Sequence, residues 1–289
     1  MELLRTMLFV PGNRPRMIEK ARGLAELDAI IFDLEDAVPP AEKPAARSMV
    51  REAIDSGDFN RFKLFVRVNA VSTNLLPDDL NAIVSPNLFG IVLPKVEDPE
   101  GVEAAHLMLL EREQRAGAAV GHTKILPIIE TVPGVLGLPR IAGCSARFVG
   151  LSYGAEDFAT DLGVERSRDG IEGLYPRVQI ALYSRLTDVT AVDSVFSDVN
   201  DDEGMEKDTL LAKQLGFRGK FLIHPKQIEM ANRIFTPSVK EIEYARQVVA
   251  AYEDAEARGE ASVALNGKMI DIPIVERART LLVVAGKLK

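Results

Sequence analysis

Eight short, almost uninterrupted apolar runs between Thr6 and Ile223 constrain this chain more than any other feature. They are Thr6–Val10, Ala29–Leu34, Leu64–Val68, Gly90–Leu93, Ile125–Ile129, Arg147–Leu151, Ser194–Ser197 and Lys220–Ile223. A half-exposed strand alternates polar and apolar residues, whereas a strand covered on both faces is apolar throughout, so most of these runs read as buried parallel strands. The segments between them carry helical signals. Asp98-Pro99-Glu100 supplies a cap, a proline at the first helical position and an early acid, and Gly117 offers a stop. Ser238 and Glu241 form a capping box ahead of Ile242, Ala245, Val249 and Tyr252. Eight strands separated by helices is the count of an α/β fold of the (β/α)8 TIM-barrel type.

The prolines cut both ways. Pro11, Pro94 and Pro225 follow strands, where a missing N–H ends the ladder. Pro127 lies inside its run and removes a ladder bond, which makes that strand the weakest on local grounds. An open doubly wound sheet is the competing fold, but the chain has neither GxGxxG after the first strand nor GxxxxGK[ST] anywhere. Beyond about Thr236 the alternation stops. Residues 1–235 are therefore expected to form the barrel and 236–289 a C-terminal helical extension, with turns or hinges at Gly259 and Asn266-Gly267.

Composition narrows the function classes. The 289 residues include 35 Lys plus Arg against 43 Asp plus Glu, a net charge of −8, which opposes a general nucleic-acid binder but not an anionic small ligand. Hydrophobic residues at 47% and charged residues at 27% are the balance of a globular enzyme. With Cys144 the sole cysteine, neither an internal disulfide nor a Cys-based zinc cluster can form, and His106, His122 and His224 are scattered. No apolar run approaches the roughly 18 residues of a membrane span. Pro11 and flanking charges argue against a signal peptide at the start, so a cytoplasmic location is expected.

In a barrel, polar residues at the C-terminal ends of the strands converge on one mouth. Those positions are acidic: Asp33-Leu34-Glu35-Asp36 after strand two, Glu130 after strand five, Glu156-Asp157 after strand six, and Asp198 with Asp201 and Asp202 after strand seven. Against them stand Arg14, Arg67 and Lys95. Carboxylates crowded at one mouth cannot all ionise without a cation, and with only oxygen ligands Mg²⁺ is the natural ion. An acid at a strand end serves equally well as a helix cap or salt-bridge partner, a lysine after a strand is commonly solvated, and the Asp201-Asp202-Glu203 run reads as a loop. His224 reads as structural and Cys144 as packing. Arg67, inside LFVRVN, needs an anionic partner if buried. Spacing alone supports a divalent-metal, anion-binding barrel enzyme and names no reaction.

The motifs RTMLFVPGNRPRMI, FDLEDAVPPAEKPAAR, VRVN, VLPKVE, IIETVPGV, GLSYGAEDFATDLG, DVNDDEG, GFRGKFLIHPKQI and LNGKMIDIPIVERA, in this order along nearly the whole chain, resemble the citrate lyase beta-subunit family, which groups with malyl-CoA and citramalyl-CoA lyases. The resemblance implies a (β/α)8 barrel, a Mg²⁺ cofactor, a homo-oligomer (trimer or hexamer) and cleavage of a 3-hydroxyacyl thioester. By motif, Glu130 and Asp157 resemble the Mg²⁺ ligands, and Arg67 the arginine facing the substrate's reacting oxygens. Glu35 and Asp36 resemble acids that hold metal-bound waters, and Arg14 a contact for the CoA phosphates. Asp271 resembles an acid that a lid-like C-terminal segment brings to a neighbouring subunit's site. The shared residues serve every branch of the family. A CoA thioester lyase, a citrate lyase beta subunit acting on an acyl-carrier-protein thioester, and a class II aldolase acting on free hydroxy-oxo acids all remain open, beside a non-catalytic sensor.

Overall fold

Parallel pairing of each strand with the next, and of the eighth with the first, closes the barrel. The structure, a computed structural model, describes residues 2–286. The strands are β1 (Thr6–Pro11), β2 (Ala29–Asp33), β3 (Lys63–Arg67), β4 (Gly90–Leu93), β5 (Lys124–Ile129), β6 (Gly150–Tyr153), β7 (Thr190–Asp193) and β8 (Gly219–Leu222). Between and after them run α1 (Pro15–Ala21), α2 (Lys43–Asp55), α3 (Leu76–Ile83), α4 (Pro99–Ala116), α5 (Val132–Ile141), α6 (Ala155–Leu162), α7 (Leu174–Leu186), α8 (Asp202–Leu215) and α9 (Gln227–Phe235). The helix signals held at α4: the Asp98 carboxylate accepts the Gly101 N–H at 2.7 Å, and Gly117 ends the helix in the left-handed conformation.

Successive side chains of a strand point to opposite faces. One face of each strand supplies the barrel interior, where Met7, Ala29, Ile31, Phe65, Val92, Leu126, Ile128, Val192 and Phe221 pack together. Each such large side chain contributes about 1.5–3 kcal/mol relative to exposure.

Two strands lie elsewhere than their apolar runs indicated. The seventh is Thr190–Asp193, ahead of Ser194–Ser197, and the sixth is Gly150–Tyr153, with only an isolated bridge at Phe148. Polar ends masked β7. The Thr190 hydroxyl donates to the Glu2 carbonyl (2.8 Å), and Asp193 accepts from Arg177 (2.9 and 2.7 Å) and Lys220 (2.7 Å), so tertiary partners make these residues tolerable in a buried strand. Pro127 does sit within β5, at a gap in the ladder to β6: Ile125 bridges Phe148, and pairing resumes at Ile128. The Ser152 hydroxyl donates to the Pro127 carbonyl at 2.7 Å and ties the strands across that gap.

Away from the mouth, Arg147 lies ahead of β6 and holds the buried Glu113 of α4 through two bonds (2.7 and 2.8 Å), with Nε donating to His106. Burial alone would raise the Glu113 pKa. Arg147 and the N–H groups of Gly121 and Thr123 outweigh it and hold the carboxyl at about 2.

The chain divides into two units, one ending at Arg233 and the other starting at Ile234. In the second, α10 (Val239–Ala257) carries the expected Ser238/Glu241 capping box. A hairpin of β9 (Val263–Leu265) and β10 (Lys268–Ile270) turns at Asn266-Gly267, both at positive φ as a two-residue hairpin turn requires. α11 (Ile272–Gly286) packs with α10 and the hairpin through Ala245, Val248, Tyr252, Ile270 and Val275. Among the described residues no helix is long and apolar enough to cross a membrane.

Glu113→Ala leaves Arg147 buried without its partner, and an expected loss of about 3–5 kcal/mol is measurable by denaturant unfolding. Because the folded pKa lies near 2, below the usual 4.5, the wild-type contribution is complete above pH 4.5 and disappears as pH falls through 2. The variant therefore shows a shallower acid-unfolding profile across that window.

Candidate active site

Strand alternation and register place the polar residues above the barrel core. Ala29, Ile31 and Asp33 share one face of β2, as do Phe65 and Arg67 of β3, and the ladder sets Asp33 directly beside Arg67. Their side chains meet in a bidentate pair, with Nε to Oδ1 at 2.8 Å and Nη2 to Oδ2 at 2.6 Å. Nη1 reaches Glu35 at 3.0 Å and Asp36 at 3.4 Å, and the guanidinium carbon stands 4.9 Å from the centre of the Phe9 ring. Burial opposes the positive charge, but Asp33, Glu35 and Asp36 more than offset it, so the Arg67 pKa is raised.

The turn after β2 is held from inside. Asp33 accepts the N–H groups of Glu35 (2.9 Å) and Ala37 (3.3 Å), and the buried Lys43 ammonium donates to the carbonyls of Leu34 (2.7 Å) and Glu35 (2.9 Å). Glu35 is thereby aimed at Lys95, whose Nζ lies 3.2 Å from its Oε1 and 3.7 Å from Oδ1 of Asp157. Lys95 adopts φ +52, a conformation that a non-glycine residue rarely takes, and its N–H donates to Glu130 at 2.8 Å. Burial would lower the Lys95 pKa, but Glu35 and Asp157 raise it on balance.

Glu130 follows β5 on the same face as Leu126 and Ile128 and is 3% exposed. Burial, then the charges of Asp157 and Glu35, push its pKa up to about 8. Asp157 projects from the first turn of α6. That helix begins at Gly154, where any Cβ would overlap the Glu130 side chain, so the two carboxylates are brought together across a position only glycine can fill.

The barrel unit thus gathers Arg67, Glu35, Asp36, Glu130 and Asp157. Arg14, at the head of α1, is exposed, and among the described residues its side chain makes no ion pair. Asp271 belongs to the second unit, where it accepts the Ile274 N–H and caps α11. The sequence places Asp33 among the mouth acids without giving it a role, passes over Lys43 and discounts Lys95; a lysine closely following the acid-rich turn is the signal available for Lys43. It also put Asp198, Asp201 and Asp202 at the mouth as strand-end acids. Because β7 ends earlier, Asp198 only closes a local turn with Asn200, and Asp201 caps α8 through Gly204.

A cleft of about 490 Å³, counting its open side, lies between these groups and an apolar wall of Phe9, Ile128, Val195 and Phe221. Five carboxylates (Asp33, Glu35, Asp36, Glu130 and Asp157) share the charge of three cations, Arg67, Lys95 and Lys43. That deficit fits a hard divalent cation. Among the described residues no three acids or histidines are grouped to ligate one, so Glu130 and Asp157 would leave coordination positions for water and substrate oxygens.

The raised Glu130 pKa makes stability fall as pH rises from 4.5 through 8 in chelator-treated protein, since the folded state keeps a proton that the unfolded state releases. Glu130→Gln removes this slope. In EDTA it is expected to exceed wild type by a few kcal/mol at and above pH 8, with the gap closing toward about pH 5. Thermal unfolding across pH measures both.

Residues 5–225 match the HpcH/HpaI aldolase/citrate lyase family. The citrate lyase subunit beta of Leuconostoc mesenteroides subsp. cremoris is 41% identical over 284 residues, covering 98% of this chain and 94% of the relative. A (3S)-malyl-CoA thioesterase of Cereibacter sphaeroides is 36% identical over 279 residues, covering 96% and 93%. Among solved structures, CitE of Mycobacterium tuberculosis in complex with magnesium, acetoacetate and coenzyme A superposes with a TM-score of 0.78 at 31% identity, covering 98% of this chain and all of that one. Barrel, acidic mouth and sequence agree: the chain belongs to the HpcH/HpaI aldolase/citrate lyase family.

Proposed function

We propose that this chain is a cytoplasmic, Mg²⁺-dependent carbon–carbon lyase. It cleaves a 3-hydroxyacyl-CoA of the malyl, citramalyl or citryl type into acetyl- or acyl-CoA and a 2-oxo acid. One observation carries this reading: Lys95 meets both acids, its backbone N–H donating to Glu130 and its ammonium standing 3.7 Å from Asp157, at a mouth short of positive charge beside a fully charged Arg67. The relative solved with magnesium, acetoacetate and coenzyme A supports it.

Glu130 and Asp157 are the residues that would hold the ion, with Glu35 and Asp36 placed to fix its waters. Bound there, Mg²⁺ would lower the pKa of a substrate hydroxyl and neutralise an adjacent carboxylate. The reaction then balances simply. The carboxylate of Glu35 or Asp36 takes the hydroxyl proton, the O–H electrons form the new carbonyl, the carbon–carbon bond breaks, and the released pair becomes a thioester enolate. Arg67 stabilises that enolate with a charge that Asp33, Glu35 and Asp36 hold in place. The apolar wall holds water away from the enolate carbon. Arg14, without an ion-pair partner among the described residues, is available for the CoA phosphates.

The final proton comes from Asp271 of a neighbouring copy, whose second unit acts as a lid, in a trimeric or hexameric assembly. The solvent side of α7 supports such an assembly: Tyr175, Leu182 (61% exposed) and Leu186 (76% exposed) form an apolar stripe along it. A second reading, the beta subunit of a citrate lyase complex acting on citryl bound to an acyl-carrier protein, is favoured by the 41% identity to a citrate lyase subunit beta.

The test is a panel of malyl-, citramalyl- and citryl-CoA, citryl-acyl-carrier protein and free hydroxy-oxo acids, assayed with Mg²⁺ and with EDTA. Release of acetyl- or acyl-CoA from a CoA thioester, lost in EDTA and in Glu130→Gln, is expected. Turnover confined to the carrier-bound thioester would establish the second reading, and cleavage of free acids alone would sink both. Subunit sharing has its own assay. Asp271→Asn keeps a capping side chain but cannot donate the proton. Mixed with Glu130→Gln, it should recover about a quarter or more of wild-type activity on subunit exchange, whereas silence in verified mixed oligomers argues for a site built within one chain.

A further inference from the structure

Asp157 owes its position to a helix that cannot cap itself. The N-cap of α6 is Gly154, which has no side chain with which to accept the free N–H groups of the first turn, and which must remain glycine because Glu130 occupies the space a Cβ needs. The missing cap comes from another strand. The Ser194 hydroxyl, immediately after β7, accepts the N–H of Ala155, the first residue of α6, at 2.9 Å. Ser194 is 4% exposed and follows Val192 on the inward face, so its reach toward α6 is set by the barrel itself. Asp193, between them, turns outward into a buried lattice with Arg177 and Lys220, which fixes the end of the strand.

We infer that Ser194 is a positioning residue that sets the direction of the first turn of α6 and so the approach of the Asp157 carboxylate toward Glu130. This rests on the proposal that those two acids hold Mg²⁺. Ser194 substitutes for the cap that Gly154 cannot provide, and its strand rather than its helix dictates where Asp157 points. Residues that orient a metal ligand typically change metal affinity by about 10–100-fold when removed.

The probe is Mg²⁺ alone, titrated calorimetrically into chelator-treated full-length protein, with amide hydrogen exchange at Ala155 as a readout that needs no metal. Ser194→Ala is expected to weaken Mg²⁺ binding about tenfold or more and to speed exchange at Ala155. Ser194→Thr, which keeps the hydroxyl, is expected to stay near wild type in both. Arg166 still joins the same segments, to Glu156 at 2.6 Å and to the Val195 carbonyl at 2.9 Å, which keeps Ser194→Ala folded. Thr160→Ala, which removes a hydroxyl bond to the Glu156 carbonyl elsewhere on α6, controls for general loss of helix stability and is expected to leave Mg²⁺ affinity unchanged. Wild-type affinity in Ser194→Ala, or equal weakening by Thr160→Ala, overturns the inference while Glu130→Gln still abolishes binding. Binding that survives Glu130→Gln removes the metal assignment, and the inference with it.

Discussion

The bidentate pair between Asp33 and Arg67 organises the mouth of this barrel. It joins neighbouring strands at matched register, buries a guanidinium against the Phe9 ring, and engages two of that guanidinium's five donors before any ligand arrives. A buried arginine so compensated cannot discharge, which gives the site a permanent positive pole. The same Asp33 carboxylate also folds the following turn through two backbone N–H groups, so one acid sets both the arginine and the loop that carries Glu35 and Asp36.

Around that pole the electrostatics are deliberately incomplete. Glu130 is nearly as buried as the core leucines, yet its nearest cationic neighbour gives it a backbone N–H while directing its ammonium to Glu35 and Asp157. An acid held in this way destabilises the empty protein when ionised and favours whatever cation relieves it. The contrast with Glu113 is instructive. That carboxyl is equally buried, but two guanidinium bonds and two backbone N–H groups satisfy it and pull its pKa down to about 2, whereas Glu130 goes up to about 8. Two buried glutamates in one barrel differ by their partners, and the unsatisfied one stands at the mouth.

Much of this was legible in residue order. Seven of the eight apolar runs overlap the strands that form at those places, the Asp98 and Ser238 caps are where their side chains indicated, and the acids after strands two, five and six do gather. The displaced seventh strand shows where local reading stops. Thr190 and Asp193 look too polar for a buried strand until Glu2, Arg177 and Lys220, all distant in sequence, come to meet them. Lys95 was discounted for a similar reason: nothing beside it in the chain reveals that it will take a left-handed conformation and stand among three carboxylates.

By itself, the order of residues determined the alternation of strands and helices, the residue types at the strand ends, and the family to which the chain belongs. The first two depend on periodicity, capping and local composition, which act within a few residues, and the family on motifs ordered along nearly the whole chain. Which acids share the Lys95 ammonium, which glycine makes room for Glu130, and which hydroxyl caps α6 were decided only when the strands paired side by side. Each of those contacts joins groups separated by twenty or more residues, and only the parallel pairing of strands β2 to β7 makes them neighbours.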